Sequence, residues 1–365
     1  MKILVLSTNY PSAANPSVLR YVHTRNIYYI NHGLDVTVLN FSTKTDYVQD
    51  GIKVISLQSY NKDDIHYDIL ASHAPNLRNH LKFLIKYQKR FSRIVFFFHG
   101  HEVLMRSKVY SKPYPYIKKG YNVLNDIYDW IKLKIWRIYF KRHLNKSTFV
   151  FVSNWMLSEF EKWVGISRVE LSGRYHIIYN CVGHLFETND YDYKSPKKYD
   201  FISIRPNFDG SKYSVDVINN LAKNNPQYSF LLIGKGEFFK HYEKATNLTC
   251  INEYLNHEQI FRYLNQARCA LIPTRTDAQG VMMCEMATFG MPVITSDIPV
   301  CHEVFSSFKN VGFINNEMPS CNDLPKLLQE LFAGLPYKKN QTYFEINTSG
   351  KEVTLYKMLY EYHKM

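Results

Sequence analysis

Two carboxylates eight residues apart, Asp277 and Glu285, stand in a run whose order is strand, loop, helix, strand. The apolar stretch Ala270-Leu271-Ile272 stops at Pro273, a polar loop carries Asp277 and Gly280, the helical run Val281 to Phe289 follows, and Pro292-Val293-Ile294 resumes the sheet after Gly290. In parallel sheets ligands gather beyond the carboxyl ends of the strands, where the next helix begins. Backbone N–H groups of Ala278 to Val281 would form a helix N-terminus suited to an anion. Asp277 sits at its mouth, either as an ordinary helix cap or as a group facing a ligand. Glu285 lies about two turns deeper, at ~3.6 residues per turn. Around it stand Met282, Met283, Cys284, Met286 and Ala287, with no Lys or Arg within four residues. A carboxylate in so apolar a setting is costly to bury unless hydrogen-bond donors meet it. Sugar and ribose hydroxyls are such donors.

The elements that must hold these residues recur along the whole chain. Short apolar runs at Ile3 to Leu6, Val36 to Leu39, Val54 to Leu57, Ile94 to Phe98 and Phe149 to Val152 alternate with helical stretches at Leu19 to Ile30 and Asn76 to Lys89. Continuous rather than alternating hydrophobicity marks strands covered on both faces. The rhythm restarts at Phe201 to Ile204, Phe230 to Ile233, Leu248 to Ile251, Cys269 to Ile272 and Val293-Ile294. The polar, turn-rich stretch 187–199 between the two series reads as a linker. A chain of 365 residues exceeds what one hydrophobic core normally serves. The expected organisation is therefore an α/β first domain over 1–186, a second over 200–345 and a final helix over 346–365. Hydrophobic content of 45% excludes a disordered chain. No apolar run approaches the ~20 residues of a membrane-spanning helix. The six cysteines show no CxxC spacing, and Met1-Lys2 runs straight into the first strand. A reducing cytoplasm is the expected setting.

The segment from Asp277 to Val293 resembles the signature of the retaining glycosyltransferases of family 4, roughly E-G-F-G, then E-A-M-A, then G-x-P-V. Here Asp277-Ala278-Gln279-Gly280, Glu285-Met286-Ala287, Gly290 and Pro292-Val293 fill those positions, with Asp for the first Glu and Ala278-Gln279 for Gly-Phe. The resemblance implies the GT-B fold, two Rossmann-like domains facing each other across a cleft, with the C-terminal helix returning to the first. It implies that Asp277 faces the donor sugar and Glu285 binds the nucleotide ribose, with the N–H groups of Gln279, Gly280 and Val281 on the diphosphate. Arg205 and Lys212, after the strand Phe201 to Ile204, resemble the family's phosphate clamp, spaced seven apart where the family usually has five. Fixed cations stabilise the charge that develops on a departing diphosphate, Arg as a fork and Lys as a point charge. Gly234 lies in a turn like the family's G-x-G near the nucleotide. In the first half His99-Gly100-His101-Glu102 resembles the "HG" element, and Ile178-Tyr179-Asn180-Cys181-Val182 resembles "I-P-N-G-V". His99 is thereby the catalytic candidate of the acceptor side, with Asn9, Ser17, Glu102 and Asn180 beside it. No metal or other cofactor is expected. Asp190-Tyr191-Asp192 has a DxD form, but it sits in the polar linker and reads as a solvated turn.

Net charge is +13, concentrated between Arg106 and Lys146, where cations such as Lys132, Lys134, Arg137, Lys141 and Arg142 interleave with Trp130, Trp136, Tyr139 and Phe140 against only Asp126 and Asp129. A basic helix over Val123 to Leu144, with Trp, Ile and Leu opposite, suits an anionic membrane surface. A helix packed on its own domain fits the same residues. No nucleic-acid-binding motif accompanies the charge. Together these features imply a cytoplasmic enzyme, peripheral on the cell membrane. It would move a sugar from a nucleotide-diphosphate sugar to an acceptor hydroxyl, the acceptor being a sugar or lipid-linked sugar of a surface polysaccharide. The alternatives are a catalytically silent protein of the same shape that binds a sugar or lipid head group, and a nucleotide-sugar epimerase.

Overall fold

The computed structural model describes every residue except 14, 16–17, 63–64, 119, 121, 320–322 and 365, and only the backbone of 257 and 362–364. Ser17, Lys119, Tyr121 and Cys321 thus lie outside the described residues.

The chain divides into two units. The first comprises Met1–Met105, Ile127–Cys181 and Tyr343–Met365, and the second Arg106–Asp126 and Val182–Thr342. The first holds an eight-stranded sheet built from β1 (Lys2–Ser7), β2 (Asp35–Asn40), β3 (Tyr47–Gln49), β4 (Ile52–Ile55), β5 (Ile69–His73), β6 (Arg93–Phe98), β7 (Ser147–Phe151) and β8 (Tyr175–Ile177). Its order is β3-β4-β2-β1-β5-β6-β7-β8, parallel throughout except for β3. In the second unit β9 (Tyr199–Arg205), β10 (Phe230–Gly234), β11 (Leu248–Ile251), β12 (Ala267–Ile272), β13 (Val293–Ser296) and β14 (Val311–Ile314) form a wholly parallel sheet, ordered β11-β10-β9-β12-β13-β14. The chain reverses direction across the sheet between β1 and β5 in one unit and between β9 and β12 in the other. Such switch points leave a crevice at the carboxyl edge of an open α/β sheet.

Both strand faces are apolar because helices cover them. Val5, Val38, Val95 and Phe97 pack in the first core, and Phe201, Leu232, Leu271 and Ile294 in the second. The helix Ser349–Lys364 closes the first unit, adding Val353, Leu355 and Tyr356 to its core. Glu352 of that helix, fully buried, accepts from Arg25 Nε at 3.0 and 3.2 Å and from the Tyr29 hydroxyl at 2.5 Å. Removing one partner of such a buried pair typically costs ~3–5 kcal/mol.

Three expectations change. Segment 106–126 belongs with the second unit rather than with 1–186: Tyr114 is part of that unit's core, and Tyr116 and Ile117 pack against it. The stretch 187–199 is polar but not slack, because the buried Tyr191 donates to the Ala267 carbonyl at 2.7 Å. Within it Asp192 accepts from the N–H groups of Lys194 and Ser195, and Asp190 pairs with Lys339 at 2.9 Å. The run 76–89 is not one helix but a wide turn Leu77–Leu81, a helix Lys82–Tyr87 and a tight turn Gln88–Arg90.

The basic helix spans Val123–Arg142, and its two faces differ from the expected division. Leu133, Trp136, Tyr139 and Phe140 turn inward, and so does Lys132, whose ammonium donates to the His101 and Leu104 carbonyls and to Asp129 at 2.8, 3.2 and 3.1 Å. Ile127, Trp130, Ile131 and Ile138 are exposed, by 48%, 56%, 43% and 62%, along with Lys134, Lys141 and Arg142. Apolar side chains thus lie on both sides. Among the described residues no helix is long and apolar enough to cross a membrane.

Candidate active site

In the second unit the loops leaving β9, β12, β13 and β14 are tied into one layer. Arg205 ends β9, is 5% exposed, and donates through Nη2 to the Pro273 carbonyl just past β12. Its Nε is buried and meets no described acceptor. Burial lowers the guanidinium to about 10, against the opposing pull of Asp277, so it stays charged at neutral pH. Arg205 is therefore an interior cation, not a solvated one. The carbonyl of Lys212 accepts from the Thr274 hydroxyl and the Arg275 N–H, each at 3.0 Å, which joins the loop after β9 to the loop after β12. The Lys212 ammonium lies over the Tyr213 ring, 4.8 Å from its centroid. Further on, Ser296 accepts from the Thr274 N–H at 2.7 Å and donates to Asn316, which returns a bond to the Thr274 carbonyl at 2.9 Å.

Gly234 is required where it stands. Its φ is +152°, and a Cβ there would fall 1.6 Å from the Arg205 carbonyl oxygen. Gly280, at φ +74°, caps the helix Val281–Thr288.

Asp277 turns back on its own loop, ahead of the helix that Gly280 caps. Its Oδ1 accepts from the N–H groups of Ala278, Gln279 and Gly280 at 2.8, 3.3 and 2.9 Å. The expected anion cradle over residues 278–281 is thus partly filled by the chain's own carboxylate. The N–H groups of Val281 and Met282 have no described acceptor. The short arm of Asp accounts for this, since it reaches its own loop as an Asx-type turn.

Glu285, partly exposed on this helix, makes no side-chain hydrogen bond or ion pair with a described residue. Desolvation by its surroundings raises its carboxyl to about 8. An acid left in this state waits for donors.

In this unit sequence reasoning missed one polar cluster. Arg275 grips Asp216 with a two-pronged bond, Nη1 at 2.9 and Nη2 at 2.6 Å, and also donates to the Ser211 carbonyl at 2.8 Å. The Tyr114 hydroxyl adds a 2.7 Å bond to the same carboxylate. These partners are 59 and 102 residues from Asp216, so no local pattern could have paired them. Their effect is to brace the 211–216 turn under Lys212.

In the first unit, the carboxyl ends of β5 and β6 bring His73 and His99 together, with His73 Nδ1 3.2 Å from His99 Nε2. The His99 backbone N–H donates to Glu102 Oε1, and the Asn180 side chain bonds the His99 ring. Tyr21 lies 4.6 Å from that ring, centroid to centroid. Burial, aided by the charge of Arg25, holds both imidazoles well below their usual range, so they are neutral at pH 7. Of the acceptor-side candidates, His99, Glu102 and Asn180 meet, and Tyr21 and His73 join them unforeseen. Asn9 lies elsewhere on this edge, in a recess of about 310 Å³ lined also by Tyr10, Asn40, Ser42 and Tyr47.

The fold is that of the GT-B glycosyltransferases. Sucrose-phosphate synthase from Thermosynechococcus elongatus superposes with a TM-score of 0.72 at 13% identity, covering 99% of each chain. The catalytic domain of starch synthase IV from Arabidopsis thaliana, bound to ADP and acarbose, gives 0.60 at 11% identity, over 99% of this chain and 98% of that one. An E. coli trehalose-6-phosphate protein bound with UDP-2-fluoro glucose gives 0.57 at 11% identity, over 100% and 97%. Residues 187–342 match the family model described as glycosyl transferases group 1, which supports a sugar-transferring protein. No curated protein sequence matches the chain.

Proposed function

We propose that this protein is a retaining glycosyltransferase of family 4 that uses a nucleotide-diphosphate sugar. One observation carries the reading: the carboxyl edge of a single sheet presents a buried guanidinium and an acid, and neither the Arg205 Nε nor the Glu285 carboxyl has a partner among the described residues. Arg205, Lys212 and the Val281 and Met282 N–H groups suit the diphosphate, and Glu285 suits the ribose hydroxyls. The relatives bound to ADP and to UDP-2-fluoro glucose lend the nucleotide class support. In the reaction the acceptor oxygen bonds the anomeric carbon as the bond to the phosphate oxygen breaks. The acceptor proton passes to that departing oxygen on the same face of the sugar. Arg205 offsets the charge that develops, which is how such fixed donors accelerate reactions, and no metal is required. Asp277 must release part of its loop to reach the sugar, or act only as the group that shapes that loop.

The acceptor would bind beside His99 and Asn180, where neutral imidazoles and an amide suit uncharged hydroxyls. We take it to be a lipid-linked sugar of a surface polysaccharide, reached from the cytoplasmic face of a membrane. The exposed Ile127, Trp130, Ile131 and Ile138, with Lys134, Lys141 and Arg142, support that surface. Lys132, buried in its bonds, takes no part. Incubating the protein with labelled nucleotide sugars, with and without membranes, tests the whole reading. Nucleoside diphosphate released together with label in membrane lipid is the expected result. No release from any donor would leave a silent binding protein, and a changed sugar still on its nucleotide would leave an epimerase. Sedimentation with anionic vesicles, lost in a Trp130→Ser/Ile131→Asn variant, tests the membrane face separately.

A further inference from the structure

At the amino edge of the first sheet, opposite the edge that carries His99, lies a recess of about 490 Å³. This falls within the ~300–1,000 Å³ range of small-ligand sites. Lys89, Arg90, Arg93 and Lys146 line it, with His66 at its rim, and no carboxylate is among the lining residues. Arg93 opens β6 and Lys146 immediately precedes β7, so the parallel pairing of these strands is what brings the two cations together.

The cations are held rather than free. Arg93 Nη1 donates to the Asn145 carbonyl at 2.9 Å, and the Lys146 ammonium donates to the Gln88 carbonyl at 2.6 Å. Arg90 lies 5.4 Å from the centre of the Tyr87 ring and bonds the Tyr60 hydroxyl. Carbonyls and rings orient a cation without neutralising it. Arg93 Nε is buried with no described partner. Asp68, which is not among the lining residues, stands 3.7 Å from His66 and accepts the Lys2 N–H at 2.7 Å. Like charges set this close repel, and desolvation together with Arg93 holds the Lys146 ammonium below its ordinary range. An anion would relieve that repulsion and meet the unpaired donor.

We infer that this recess is a binding site for a phosphate-bearing anion, separate from the site of sugar transfer and independent of that assignment. Phosphate fits because a guanidinium fork and point-charge ammonium groups recognise its oxygens. The anion could be a free phosphate or the phosphate of a lipid head group.

Inorganic pyrophosphate, titrated by calorimetry into the full-length protein and into its Arg205→Ala variant, provides the test. One binding event is expected to be the same in both. Arg93→Gln/Lys146→Gln should weaken it about tenfold or more, the scale of one lost charge-assisted bond. Lys89→Gln/Arg90→Gln, both at exposed positions, should weaken it by a smaller factor. That pair decides the matter if the first variant fails to fold. Phosphatidylcholine vesicles with and without phosphatidylglycerol separate the sources. If the lipid is the occupant, pyrophosphate competes with the anionic vesicles and the first variant loses them. If vesicle binding is unchanged in the variant while pyrophosphate binding falls, the ligand is a free phosphate. A protein with no pyrophosphate event that survives Arg205→Ala, or Arg93/Lys146 and Lys89/Arg90 variants that bind it like wild type, would overturn the proposal.

Discussion

The two sheets share an architecture and use opposite chemistries at their carboxyl edges. In the first unit the edge gathers His73, His99, Tyr21 and Asn180, rings and an amide, with a single carboxylate, Glu102, turned onto the His99 backbone and the imidazoles kept neutral by burial. The second places Arg205, Lys212, Arg275, Asp216, Asp277 and Glu285 at the equivalent edge. A parallel sheet with a switch point offers a position and nothing more. The residues at the strand ends decide whether that position suits an uncharged polyol or a diphosphate.

Removing the charge from the second edge should have the largest effect. Arg205→Ala should lower the rate of nucleoside diphosphate release ~100- to 1,000-fold, the usual loss for one fixed electrostatic donor. Arg205→Lys should recover little of it, because a point charge does not replace the fork. Wild-type rates in either variant would return Arg205 to a purely structural role.

Glu285 comes next and carries a pH signature. Its carboxyl, raised to about 8, holds its proton at pH 7 in the empty site. Hydroxyl donors favour the ionised form, so nucleotide affinity should climb as pH rises from about 6 through 8, by at most ~tenfold per unit. For stability the sign is the reverse. An acid whose folded pKa exceeds its unfolded one keeps an extra proton only when folded, so its contribution declines as pH rises between about 4.5 and 8. Glu285→Gln should flatten both profiles and weaken nucleotide binding ~10- to 100-fold above pH 8. Calorimetry across pH reads the affinity, and denaturant melts read the stability.

The first edge should answer differently. His99→Ala is expected to raise the acceptor KM about fivefold or more, the worth of a neutral hydrogen bond, while donor hydrolysis holds steady. Because both imidazoles are held well below their ordinary range, acceptor binding should show no histidine step near pH 6.5. Such a step would mean that His99 titrates freely and that the contrast between the edges is false. The smallest effect is expected from Lys212→Ala, a few-fold loss in rate, since a partly exposed ammonium is screened by water.

Much of this was legible in the sequence. Ten of the fourteen described strands, the loop after β12, the spacing of Asp277 and Glu285, and Arg205 at the end of β9 follow from periodicity and punctuation, which are local, whereas the order of strands in each sheet and the strands β3, β5, β8 and β14 did not. Burial and partnership are not local. Lys132 reads as one more surface cation until the carbonyls of His101 and Leu104 are brought to it. Segment 106–126 reads as part of the first domain until Tyr114 enters the second core and bonds Asp216. Asp277 could be a helix cap or a ligand group by its type, and the structure instead turns it onto three N–H groups of its own loop, ahead of the helix. The amino acid sequence by itself determined which groups stand at the strand ends, because each strand and turn is written in a few adjacent residues. Only the tertiary structure decided which of those groups are desolvated, paired or left waiting, because that depends on neighbours far along the chain.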